Sequence, residues 1–201
     1  MTAVIPPIRT GLFGGAFDPV HKGHLEVVES LIRSRLVGEV WLIPTPVPPH
    51  KEEATVSYSH RRKLLELAFH DQIQKETVRI CDLEQELPPP NYTLRTVDHL
   101  REYHPDHTFF LCVGSDSLAT MNRWYRSNEL LEKIVPVAAI RPGWSRETIS
   151  EPVLEKSILV DHKEVEISST ELRKYLGERR AEHLMIPKPV IDYIHRNNLY
   201  E

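Results

Sequence analysis

The 201-residue chain carries 25 Lys and Arg against 29 Asp and Glu, a formal charge of −4, with 40% hydrophobic and 27% charged residues. That balance is one of a globular domain with room for a sizeable core, and residues 1–201 read as a single domain. It excludes the broad basic surface of a sequence-independent nucleic-acid binder, and no apolar run approaches a membrane span.

Met1–Pro7 lacks the cationic start and apolar stretch of a signal peptide. The two cysteines, Cys81 and Cys112, form neither a CxxC pair nor a zinc spacing, and read as buried thiols in a reducing compartment. The expectation is a cytoplasmic protein with neither nucleic acid nor membrane as partner.

Along the chain, short β-branched runs alternate with amphipathic stretches, without internal repeats. Ile8–Phe13 reads as a strand, followed by a glycine turn and a helix from about Gly23 to Arg35. In that helix Leu25, Val28, Leu31 and Ile32 share one face. Val40–Ile43 is a second strand, ended by the proline-rich stretch Pro44–Pro49, and Ser57–His70 a helix with Leu64, Leu65 and Ala68 inward. Thr77–Cys81 (strand), Thr93–Tyr103 (helix, with Leu94, Val97 and Leu100 inward) and Thr108–Val113 (strand, stopping at Gly114) follow. A short helix over Asn128–Lys133 leads to a fifth strand, Val135–Ile140, and Ser157–Val160 offers a sixth. Ser168–Leu176 and Pro189–Asn197 close the chain as helices.

This alternation predicts an α/β fold: a Rossmann-like three-layer sandwich with a mainly parallel central sheet and helices on both faces. Ligands of such sheets bind at the carboxyl ends of the strands. The residues just after strands therefore matter most: Gly14–His24, His50 and Lys51, and Gly114–Asp116.

The first of these segments carries the strongest pattern. Gly14-Gly15 lets the backbone turn and approach a ligand, and the helix start behind it points free amides toward an anion. His21 and His24, three residues apart, straddle that start and can aim at one phosphate. GxGxxG and the P-loop pattern are absent, and so is HExxH; no third ligand is spaced for zinc. At the other end, Ser168 followed three residues later by Glu171 is a capping box. It presents amides, the Ser169 and Thr170 hydroxyls and Arg173 as a second anion cradle.

The stretch Gly14-Gly15-Ala16-Phe17-Asp18-Pro19-Val20-His21-Lys22-Gly23-His24 resembles the (T/H)xGH motif of the nucleotidylyltransferase superfamily, closest to the bacterial nicotinate mononucleotide adenylyltransferases. Ile167-Ser168-Ser169-Thr170-Glu171-Leu172-Arg173 resembles the ISSTxxR motif of the same superfamily. The resemblance extends to Pro48-Pro49-His50-Lys51, to Gly114-Ser115-Asp116-Ser117 with Trp124, and to the closing Ile186–Tyr200 pattern. Ala16 stands where Thr or Ser is usual, at a position thought to act mainly through its backbone.

The resemblance implies in-line attack of the 5′-phosphate of nicotinate mononucleotide on the α-phosphate of ATP, giving deamido-NAD and pyrophosphate. His21, His24 and Arg173 would then be catalytic. Gly14, Gly15, Ala16, Phe17, Gly114, Asp116, Ile167, Ser168, Ser169 and Thr170 would join them in binding ATP. His50, Lys51, Tyr92, Thr93, Trp124 and Tyr125 would hold the mononucleotide, Tyr92-Thr93 by donors to the nicotinate carboxylate and Trp124 by stacking on the pyridine. Mg2+ would be carried with ATP rather than in a carboxylate cage. The sequence leaves the oligomeric state open, a homo-oligomer included.

Three alternatives stand beside this reading. One is a pantetheine-phosphate adenylyltransferase or a cytidylyltransferase, which lack the Tyr-Thr and Trp features. The others are a non-catalytic nucleotide sensor and a class I aminoacyl-tRNA synthetase fragment.

Overall fold

The structure is a computed structural model in which residues 6–46, 54–140, 146–161, 163, 165, 168–178 and 185–201 are described. The strands are β1 (Ile8–Gly15), β2 (Glu39–Pro44), β3 (Val78–Ile80), β4 (His107–Gly114), β5 (Val135–Ile140) and β6 (Ile158–Asp161). Between and after them lie α1 (Lys22–Arg33), α2 (Tyr58–Ala68), α3 (His70–Gln74), α4 (Leu83–Glu86), α5 (Thr93–Tyr103), α6 (Ser115–Thr120), α7 (Ser127–Lys133), α8 (Glu151–Glu155), α9 (Ser169–Gly177) and α10 (Lys188–Arg196).

The six strands form one sheet ordered β3-β2-β1-β4-β5-β6, and every neighbouring pair is parallel. The sheet is thus wholly rather than mainly parallel. Its central strands are apolar runs because both faces are covered. Leu12, Trp41 and Leu111 face the side packed by α5, α6, α7 and α8. Their neighbours Phe13, Leu42 and Cys112 face the side packed by α1, α2, α9 and α10. The period-2 alternation of strands therefore divides the apolar residues into two cores, one on each face. This is the expected three-layer sandwich.

Two local expectations change. The helix expected over Ser57–His70 is interrupted at Phe69, which leaves helical geometry (φ −112°, ψ 22°) with its ring fully buried, so that α3 starts afresh at His70. The helices α4, α6 and α8 are only 4, 6 and 5 residues long, too short to show a period. Among the described residues no helix is long and apolar enough to cross a membrane.

The connections leave β1 toward β2 and β4 toward β5, in opposite directions along the sheet. The crevice of such a sheet opens where these two strands end, at Gly14–Gly15 and Gly114.

Candidate active site

The glycine turn runs from the end of β1 into α1. His21 is the N-cap of α1, one residue earlier than the sequence suggested. Its Nδ1 accepts the Gly23 N–H at 3.1 Å, while the His21 N–H donates to Nδ1 of His24 at 3.2 Å. Two imidazoles thus form a capping box, a task more often done by Ser or Thr with Glu. Acceptance at both Nδ1 atoms places the ring protons on Nε2, the donor side away from the backbone. The rings lie tilted against each other, with centroids 3.8 Å apart and an interplanar angle of 37°. His24 is further seated against Phe17 at 5.0 Å and Phe13 at 6.0 Å.

Phe17 is 2% exposed and adopts a positive φ of 50°, a conformation that costs an L-residue roughly 1–2 kcal/mol. Such strain persists only where neighbours fix it, and here they do. Asp18, next in the chain, is 4% exposed. Its Oδ2 accepts the Thr55 N–H at 2.7 Å and its Oδ1 the Tyr200 hydroxyl at 2.7 Å. Burial, reinforced by the Asp18 charge, pushes the Tyr200 hydroxyl far above the ordinary phenol range, so Tyr200 stays a donor.

The start of α9 docks on the glycine turn. Ser168 caps α9 by accepting the Glu171 N–H at 3.2 Å, and the Glu171 carboxylate accepts from the Ser168 N–H and hydroxyl in return. Those bonds hold the Glu171 carboxyl below its ordinary range. Ser169 donates to the Pro19 carbonyl at 3.2 Å, and Arg173 to the Asp18 carbonyl at 2.9 Å and the Thr170 hydroxyl at 3.3 Å. The segments around His21 and Arg173, expected to cooperate, are bonded to each other.

On the other side of the turn lies a cavity of about 380 Å³. Gly14, Gly15, Ala16, Gly114, Tyr92, Thr93, Trp124 and Tyr125 all line it. Phe17, His21, His24, Asp116 and the 168–173 segment do not line it. Asp116 is exposed on α6, whose Ser117 and Thr120 do face the cavity. The rings of Tyr92 and Tyr125 stack on each other at 4.3 Å. The Tyr92 N–H bonds to the Pro90 carbonyl at 2.9 Å, so the donors for an anion here are the first-turn amides of α5, beginning at Thr93, and the Thr93 hydroxyl. Among the sequence-derived candidates, His50, Lys51 and Ile167 lie outside the described residues.

Sequence reading passed over several residues. Arg61 is 1% exposed. It donates to the carbonyls of Ala16 (2.6 Å), Thr45 (3.0 Å), Pro46 (3.3 Å) and Val56 (3.3 Å). Burial lowers the Arg61 pKa while the Asp18 charge opposes it. The signal was available: Arg61 precedes Leu64, Leu65 and Ala68 by three, four and seven residues, on the same helical face. Glu84, 8% exposed, also lines the cavity. Its Oε1 accepts the Thr96 hydroxyl at 2.9 Å, its Oε2 has no hydrogen-bond partner among the described residues, and burial raises its pKa against the lowering pull of Thr96 and Thr45. Cys112 is buried as expected, whereas Cys81 is only half-buried; both are free thiols.

Residues 12–175 match the family model described as cytidylyltransferase-like. Fold and family model together define the class, a nucleotidyltransferase. The chain is 36% identical over 190 residues to a probable nicotinate-nucleotide adenylyltransferase of Oceanobacillus iheyensis, covering 94% of this chain and 95% of that protein. It is 34% identical over 195 residues to the nicotinate-nucleotide adenylyltransferase of Bacillus subtilis, covering 96% and 98%. The chain belongs to the nicotinate-nucleotide adenylyltransferase family. The fold is shared with the nicotinic acid mononucleotide adenylyltransferase of Plasmodium falciparum complexed with NaAD, at TM-score 0.78 and 24% identity over 96% of this chain and 97% of that one.

Proposed function

We propose that the protein transfers the adenylyl group of ATP to nicotinate mononucleotide, releasing pyrophosphate and giving deamido-NAD, a step of NAD biosynthesis. The observation that supports this most is the joining of the two anion cradles: Arg173 and Ser169 of α9 bond to the Asp18 and Pro19 carbonyls of the turn that carries His21 and His24. The relatives named above point the same way.

In this reading the ATP phosphates lie between the α1 and α9 starts. The Nε2–H donors of His21 and His24 and the Arg173 guanidinium stabilise the charge that develops as the bond from the α-phosphorus to the bridging oxygen breaks. The mononucleotide lies in the cavity, its pyridine on Trp124 and its carboxylate at the first turn of α5 with Thr93. Its 5′-phosphate is then aligned for in-line attack, and no residue serves as a covalent nucleophile. Among the described residues no group of three or more His, Cys, Asp or Glu is placed to hold a metal. Mg2+ would arrive with ATP and supply neutralisation of phosphate charge.

Paired assays of pyrophosphate release with ATP and each of nicotinate mononucleotide, nicotinamide mononucleotide and phosphopantetheine test the reading. The expected outcome is the highest kcat/KM with nicotinate mononucleotide. Release with phosphopantetheine and none with nicotinate mononucleotide overturns it.

A further inference from the structure

Arg61 is buried among backbone carbonyls, and among the described residues no carboxylate accepts from it. Removing a guanidinium from water is expensive, and a hydrophobic side chain of similar volume would fill such a space at lower cost. What the arginine adds is the set of oxygens it gathers. Ala16 belongs to the glycine turn, Thr45 and Pro46 follow β2, and Val56 precedes α2; a single guanidinium joins all three segments at the carboxyl end of the sheet. The Tyr58 ring, 5.4 Å from the guanidinium carbon, holds it from another side.

The shortest of these bonds, 2.6 Å to the Ala16 carbonyl, has a consequence for the site. The Ala16 carbonyl and the Phe17 N–H belong to one planar peptide and, across a trans bond, point in opposite directions. Drawing the carbonyl onto Arg61 turns the Phe17 N–H away from it. The same peptide orientation accompanies the positive φ of Phe17, a backbone state a bulky residue rarely adopts unaided. Without the guanidinium, rotation of this peptide would relax Phe17 toward a common conformation and swing the N–H around.

We propose that Arg61 is the positioning residue of the phosphate-binding turn: it fixes the 16–17 peptide so that the Phe17 N–H is presented as a donor to ATP phosphate, and it locks that turn to the segments flanking residues 47–53. This rests on the function proposed above, and it assigns Arg61 no contact with substrate.

Full-length Arg61→Met and Arg61→Lys are compared with Leu64→Ala, a buried change on the same helix whose apolar side chain donates to no carbonyl. Three readouts are taken: thermal midpoint, calorimetric affinity for an ATP analogue with a methylene between the α- and β-phosphorus, and kcat with nicotinate mononucleotide. Arg61→Met is expected to bind the analogue about tenfold more weakly, the size of one lost charged hydrogen bond, and to lose roughly a hundredfold in kcat. Arg61→Lys, which keeps the charge but not the fork, falls between. Leu64→Ala is expected to lose stability yet keep wild-type affinity and kcat. Folded Arg61→Met with wild-type affinity and kcat overturns the proposal. So does equal loss in Leu64→Ala, which would mark Arg61 as merely structural. If Arg61→Met does not fold, Arg61→Lys decides by the same two criteria. Absence of turnover in the wild type refutes the substrate assignment instead, and analogue binding still decides on Arg61.

Discussion

In the function proposed above His21 has two tasks, each on a different ring nitrogen. Nδ1 caps α1 through the Gly23 N–H, and the proposed contact to phosphate uses Nε2–H. These tasks can be separated by substitution. His21→Ala removes both, and is expected to cost about 1 kcal/mol of stability for the lost cap and two to four decades of turnover, roughly, for the lost donor. His21→Asn restores a capping oxygen without an equivalent donor. Its thermal midpoint should return toward wild type while kcat stays low, and recovery of kcat in His21→Asn would remove His21 from the chemistry. At this scale the sequence was only partly legible. The histidine pair stood out because its types and spacing are unusual at a helix start. Asp18 stood only as one residue of the quoted motif, since nothing local announces that its carboxylate is completed by Tyr200, 182 residues away.

Elements were more legible than the contacts between them. The α5 boundaries agree with the inferred ones because its apolar residues repeat over a whole helix, and the Ser168–Glu171 box marks the start of α9 to within a residue. What sequence could not give was the break at Phe69 or the docking of α9 onto the turn, both decided by tertiary packing. The start of α1 shows how tightly element and chemistry are joined. A β-carbon on Gly23 would lie 2.9 Å from Nδ1 and Cε1 of His21. Gly23→Ala should therefore move the imidazole, although alanine favours a helix over glycine by up to about 1 kcal/mol. The two effects have opposite signs. Thermal stability is expected to hold or rise while kcat drops at least about tenfold; unchanged kcat would mean that the ring position is not critical.

For the molecule as a whole, Glu84 sets a stability dependence on pH. Its pKa in the folded protein is raised above 4.5 chiefly by burial. A group shifted upward contributes stability that is complete below its unfolded value and is lost as pH rises through the folded one. Glu84→Gln, neutral at every pH, escapes that loss. The thermal midpoint of Glu84→Gln minus that of wild type should therefore increase from about pH 4.5 to pH 8, and a flat difference would show that Glu84 ionises as readily folded as unfolded. Glu66, with its pKa lowered by Lys63 and Arg62 against burial, works in the opposite sense: its stability is present above 4.5 and lost on acidification.

The bond from Tyr200 to Asp18 spans 182 residues, and translation delivers those residues one at a time. At typical elongation rates Asp18 is made roughly 10–35 s before its phenolic partner. Thr55 reaches it early and Arg173 late. The turn is made well before Tyr200, so its buried carboxylate stays incompletely satisfied until that residue arrives. A ribosome halted between these points would hold a chain with β1 and β2 already made and a turn whose hydrogen bonds were still incomplete.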